Sequence, residues 1–363
     1  MNKKIIKNLI LLLFITCFLL QGKNAENINL VSINGVFHEA GSDIPFSGII
    51  NEKIERSLFT SRLDRKLTYR DGNLVREDNV YYYDNGNIFE KSTYINRLLE
   101  GKYEKYFENG NREIIASYKN NERDGNYKEY YKDGNIKYNI NYKNGEYEGK
   151  YKKYYSNGKL EVEIDFTNGK RNGKYKQYYK NGKLEKEDDY VNGLKHGIHK
   201  YYDEKGQLSS YWNYKNDLLD GLCKNYHENG KLSSEYFCIN GKKEGKYKSY
   251  SENGKLLADY NYKNDEYHGL NKSYNEINGK ISTEIIYVDG MYNGKFIMYD
   301  NNGRIMVEGN YKNGMKNGAF KEYYDNGKLG IEGVYIDDFP HGEFKFYDKE
   351  GKLTKVEKFD NSR

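Results

Sequence analysis

From residue 77 onward, apolar and polar positions recur on a fixed step. The stretch Gly149 to Asn172 reads GKYKKYYSNGKLEVEIDFTNGKRN. With its glycine counted as offset zero, aromatics fall at offsets two, five and six, and Asn157-Gly158 at eight and nine. Leu160 follows at eleven, Phe166 at seventeen and Asn168-Gly169 at nineteen and twenty. The pattern opens at Gly101, Gly125, Gly149, Gly173, Gly197, Gly221, Gly245 and Gly269, each 24 residues apart. One extra residue moves the next start to Gly294, and Gly318 and Gly342 resume the step, with a degenerate unit at Glu77 before them all. Asn-Gly or Asp-Gly between apolar runs is a strong hairpin signal. Each unit therefore predicts two short strands, offsets one to six and ten to seventeen. The expected architecture is all-β: an elongated antiparallel meander of about 12 hairpins in tandem.

The first turn predicts a three-residue loop with its glycine left-handed, at Gly110, Gly134, Gly158, Gly182, Gly206, Gly230, Gly254, Gly303, Gly327 and Gly351. Offset six then pairs with ten, and five faces eleven. Offset five is tyrosine in every unit: Tyr82, Tyr106, Tyr130, Tyr154, Tyr178, Tyr202, Tyr226, Tyr250, Tyr274, Tyr299, Tyr323 and Tyr347. We read these as the structural aromatics of the repeat, sharing a face with apolar offset eleven and aromatic offset seventeen. Offset two is aromatic too (Tyr103, Tyr127, Tyr151, Phe320), yet its parity differs from five. Either a bulge separates the two positions, or aromatics cover both faces.

Composition sharpens this picture. The 363 residues include 41 Tyr, 37 Gly and 2 Pro, with a mean hydropathy of −1.03. That is too polar for a deep core, while 16% aromatics is too rich for a disordered chain. An array whose units contact only their neighbours satisfies both. Of 59 Lys and Arg, four precede Glu26 without an acidic residue, leaving 55 against 54. No clustered positive field marks a nucleic-acid surface.

Residues 1–25 read as a secretory signal: Lys3, Lys4 and Lys7, then an apolar run from Leu9 to Leu20, too short to span a bilayer. The alternative is an uncleaved helical anchor, which would be the chain's only membrane contact. Residues 26–76 read as an irregular N-terminal cap holding a worn unit around Pro45-Phe46-Ser47-Gly48, and 77–363 as the array.

Gly-Lys-Tyr-x-x-Tyr-Tyr-x-Asn-Gly-Lys-Leu followed by Tyr-x-Asn-Gly resembles the MORN-repeat variant of the YwqK-type antitoxin family, best at Gly149–Leu160 and Gly173–Leu184. Asp217, Asp265 and Asp338 depart from it by replacing the second turn glycine. The resemblance implies an antiparallel hairpin array and, more weakly, a toxin-masking role. Choline-binding repeats are a rival with similar hairpins, but they are shorter and tryptophan-rich, and this chain has only Trp212.

Candidate chemistry is sparse. His196, His268 and His341 share offset twenty-three, where solvent-exposed turns are expected in place of metal ligands. Cys223 and Cys238 lie at offsets two and seventeen of one unit. The expected register sets them three positions apart, roughly 10 Å, so free thiols are expected. Glu161, Glu163 and Asp165 alternate as a solvated face would, and the Gly-Lys pairs lack a phosphate loop. No catalytic, cofactor or metal site is expected. The function expected is an exported binding scaffold for a protein or cell-surface ligand. The alternatives are an antitoxin-like partner and a mechanical spacer.

Overall fold

The computed structural model describes residues 28–55 and 62–359, so the proposed signal segment lies outside the described residues. Every regular element in the described residues is a β-strand. Two compact units divide the chain, Met1–Lys170 and Arg171–Arg363. In each, consecutive strands pair antiparallel as an open meander, and no described pairing joins a unit's first strand to its last.

The first unit begins with a small hairpin, Leu30–Ile33 with Val36–Glu39. Beside it the long strands Gly48–Glu55, Arg62–Arg70 and Asn73–Tyr82 pair in order. Phe46, Leu67 and Tyr69 are buried together, with Leu30 and Phe37 packed on them. Repeating hairpins follow.

One unit shows the rule. Gly149 pairs with Phe166, Tyr151 with Ile164 and Lys153 with Val162, but Tyr154 pairs with Leu160. The return strand therefore holds one extra residue, Glu161, opposite the end of the outgoing strand. Every repeat from Gly101 onward shows the same shift at this point, as at Tyr178–Leu184 and Tyr323–Leu329. The Asn-Gly-Lys turn closes as expected: the Tyr155 amide donates to the Lys159 carbonyl at 2.9 Å. Gly158 sits at φ 80°, and all ten turn glycines named above are left-handed.

At the opposite edge, the two-residue turns take positive φ at both positions, as at Asn144 (48°) and Gly145 (79°). Asp217, Asp265 and Asp338 hold the second position at φ 67°, 72° and 70° despite their side chains. A compensating bond goes with each. Their carboxylates accept the backbone N–H groups of Lys195, Lys243 and Lys316, all at 2.7 Å. The same chemistry lets Asn121 replace glycine, accepting from Leu99 at 2.7 Å.

Side chains also lace one repeat to the next. The Tyr179 hydroxyl donates to the Tyr202 carbonyl at 2.7 Å, Asn181 to Glu204 at 3.2 Å and Lys183 to Lys205 at 2.8 Å. These bonds span about one period, so each turn satisfies carbonyls of the turn that follows. They explain why offsets six, eight and ten recur.

Candidate binding surface

The extra residue at offset twelve decides which positions share a face. Side chains alternate along the unbroken outgoing strand, so offsets zero, two and four face one way and one, three and five the other. The core of the first unit is built from Ala116, Tyr127, Ile140 and Tyr142, with Tyr103, Ile114, Tyr118, Tyr138, Tyr147 and Tyr151 against them. These occupy offsets two, thirteen, fifteen, seventeen and twenty-two, and none is at offset five. Aromatics thus cover both faces. The expectation that offset seventeen shares the face of offset five is overturned, because the bulge shifts the return strand's parity by one residue.

On this inner face, offsets two and seventeen meet edge to face. Ring centroids are 5.7 Å apart for Tyr103–Tyr118, 5.9 Å for Tyr127–Tyr142 and 5.4 Å for Phe320–Tyr335. This is the preferred geometry for rings whose edges and faces carry opposite partial charge.

The offset-five tyrosines lie half-buried on the outer face. The hydroxyls of Tyr250, Tyr299, Tyr323 and Tyr347 donate to Glu235, Glu284, Glu308 and Glu332 of the preceding repeat. Burial, then the hydrogen bond and charge of Glu308, push the Tyr323 phenol up to about 12. Each of the two compact units carries a ladder of ions on this face: Lys150–Asp165 at 3.0 Å and Lys152–Glu163 at 3.2 Å in the first, and Lys272–Glu284 at 2.7 Å in the second. Such exposed pairs contribute about 0–1 kcal/mol each. They keep the face wet.

The ladder is interrupted in the second unit. Offset one is lysine at Lys102, Lys150, Lys174, Lys246 and Lys295, but Ile198, Leu222 and Leu270 replace it. Leu222 pairs with Phe237 and Leu270 with Ile286. Leu222 is 38% exposed, Phe237 45% and Ile239 47%. A shallow, open depression lies here, lined by Leu222, Glu235, Tyr236, Phe237, Lys246 and Lys248. Large apolar side chains left in water along one stripe are the mark of an interaction surface.

Sequence reasoning also passed over a buried ionic group on the inner face. Asp188 Oδ1 lies 2.9 Å from His199 Nδ1, and Oδ2 lies 2.9 Å from Lys186 Nζ; Asp188 and His199 are fully buried. Burial raises the Asp188 carboxyl, but the bonds from His199 and Lys186 outweigh it and hold it below the ordinary carboxylate range. The rings of Tyr190 and Tyr214 close over His199. An acid–histidine pair sealed this way offers no path to a substrate. Of the offset-twenty-three histidines, His196 and His341 are exposed as expected, whereas His268 is half-buried with its Nδ1 3.4 Å from Asp289. No group of three or more metal-ligating side chains converges among the described residues.

A hairpin array with a buried aromatic face and a charged, locally apolar face that also carries the offset-five tyrosines defines a tandem-repeat scaffold. The profile of the MORN repeat variant matches eleven segments: 78–96, 99–120, 123–144, 147–168, 171–192, 195–216, 219–238, 243–264, 292–313, 316–337 and 340–361. The chain belongs to the MORN repeat variant family. Residues 265–291, around the inserted residue, go unmatched, yet Gly269–Tyr274 still pairs with Ile281–Val288 in the repeat register. No curated protein matches the chain.

Proposed function

We propose that this chain is an exported, non-enzymatic scaffold whose outer face binds a protein partner at the cell surface or envelope. MORN repeats commonly mediate protein or membrane-lipid interaction. The observation that carries the reading is the interruption of the lysine ladder by Ile198, Leu222 and Leu270, with Phe237 exposed opposite Leu222. The apolar patch of Leu222 and Phe237, edged by Lys246, Lys248 and Glu235, matches the apolar centre and polar rim of protein interfaces. Its mixed charges suit an anionic nucleic acid poorly.

Capture from an envelope fraction should retain a partner that the Leu222→Lys, Phe237→Lys double variant loses, with affinity falling roughly tenfold or more. Lys150→Glu, on the outer face of the first unit, should leave capture intact. Equal capture by both variants, or binding that survives deletion of any pair of repeats, would leave a spacer as the better account. Capture of one toxin-like protein would move the assignment to an antitoxin-like role.

Export rests on the sequence of residues 1–25, with their lysines followed by a short apolar run. N-terminal sequencing of envelope or secreted protein is expected to start between about Lys23 and Asn27. An intact Met1 in cytosolic protein would refute export.

A further inference from the structure

The contact between offsets two and seventeen is made by two rings in unit after unit, as in Tyr127–Tyr142 at 5.9 Å and Tyr247–Tyr262 at 5.8 Å. In the unit opening at Gly221, both members of that contact are cysteine. The only other cysteine in the chain is Cys17. Cys223 and Cys238 are free thiols, 0% and 1% exposed.

The observed register changes their expected separation. Cys238 pairs with Gly221 and Cys223 with Tyr236, so the thiols share the inner face two positions out of step, not three. Cys223 Sγ lies 4.0 Å from the carbonyl oxygen of Gly221, the residue that pairs with Cys238. Diagonal neighbours in an antiparallel pair have Cα atoms about 7–8 Å apart, just beyond the separation a disulfide spans, so bridging requires the two strands to draw together locally. Gly221, paired with Cys238 at φ 114°, carries no side chain to resist the strands drawing closer. Tyr236 faces Cys223 and its ring takes up volume lost at offset two, so it is the pairing of two thiols across one contact, not their size, that sets this unit apart.

We propose that Cys223 and Cys238 are a disulfide-forming pair that cross-links the two strands of this hairpin. The oxidant is a small-molecule or protein disulfide, RSSR. One cysteine thiolate attacks it, forming a mixed disulfide and releasing RS⁻. The second thiolate then displaces the remaining RS⁻, so two thiols and RSSR become one intrachain disulfide and two RSH. Burial pushes the Cys223 thiol up, and burial followed by the charge of Cys223 pushes Cys238 up to about 12. Thiolate is therefore scarce in the closed array. The exchange belongs to the folding chain or to an opened hairpin.

The test is refolding the full chain in a mixture of oxidised and reduced glutathione, then acid quenching. Labelling with N-ethylmaleimide in guanidinium without reductant follows, read by peptide mass so that Cys17 is scored apart. The expected result is no label on Cys223 or Cys238, a linked peptide lighter by two hydrogens, and two labels after reduction. Hydrogen exchange should show Gly221–Tyr226 and Leu232–Ile239 better protected in the oxidised chain than in the reduced one. The Cys223→Ser, Cys238→Ser double variant should show no such redox dependence. Two labelled thiols after redox refolding would overturn the proposal, and so would a link found only in chains whose hairpin exchanges as if unfolded. Neither outcome depends on where the protein resides.

Discussion

Asp188→Ala is expected to cost about 3–5 kcal/mol of local stability, because it strands two partners of a buried carboxylate. His199 is fully buried and would lose the acceptor 2.9 Å from its Nδ1. Lys186 is 23% exposed and can turn partly to water, which places the loss toward the lower end. The sign of the pH dependence follows from the Asp188 carboxyl, which is lowered in the folded chain. Its contribution is fully present above the unfolded carboxylate value of about 4 and fades as pH falls through the folded value. Hydrogen exchange over Leu184–Tyr202 should show a wide gap between wild type and variant at neutral pH, closing in strong acid. A gap under about 1 kcal/mol at neutral pH, or one that persists unchanged below about pH 2, would show that the group is not the paired carboxylate described. The repeat itself supplies the control. Ile164 and Tyr175 hold these positions in the preceding copies. The double change Asp188→Ile, His199→Tyr should therefore be neutral or stabilising, as replacing buried ion pairs with packed apolar groups often is.

What could be read from the sequence was the chemistry that acts locally. The period, the hairpins and the left-handed Gly158 follow from Asn-Gly turns, whose constraints extend over two or three residues. The assignment of faces could not be read, because it turns on a single residue per repeat. Glu161 looks like any strand residue, yet as the extra residue of the return strand it moves Phe166 to the face of Tyr151. The same slip hid the meeting of Cys223 with Cys238. Asp188 was illegible for another reason. An acid beside Glu187 and near Lys186 reads as a solvated strand, and only the closed rings around His199 make it a core residue. The apolar stripe was visible as exceptions at offset one, Ile198, Leu222 and Leu270. Those exceptions carry meaning only once their face is known to be the wet one.

The sharpest consequence is that the position holding tyrosine in every repeat should matter less to stability than the one that varies. Phe320 and Tyr323 sit in one repeat at offsets two and five, so they compare the two faces directly. Phe320 is buried and meets Tyr335 edge to face at 5.4 Å. Its ring also lies over Gly309, so closely that a methyl group there would collide with it. Phe320→Ala therefore removes the ring and leaves nothing on the Gly309 side to fill the space, and a loss of about 3–5 kcal/mol is expected. Tyr323 is half-buried on the outer face, and its hydroxyl donates to Glu308 at 2.8 Å. Tyr323→Phe keeps the ring and loses that bond, at a cost of about 0.5–1.5 kcal/mol, because Glu308 can turn to water. Urea unfolding followed by near-ultraviolet circular dichroism, with exchange over Met315–Tyr323, would separate the two. Equal losses, or a larger loss at Tyr323, would mean that the outer row is the core and that the two faces are assigned the wrong way round. With the predicted order, the outer tyrosines are explained where a carboxylate stands in the preceding repeat, as Glu235, Glu284, Glu308 and Glu332 do for Tyr250, Tyr299, Tyr323 and Tyr347. The inner row can vary because the residue opposite varies with it: glycine faces phenylalanine at Gly309 and Phe320, and isoleucine faces tyrosine at Ile164 and Tyr151.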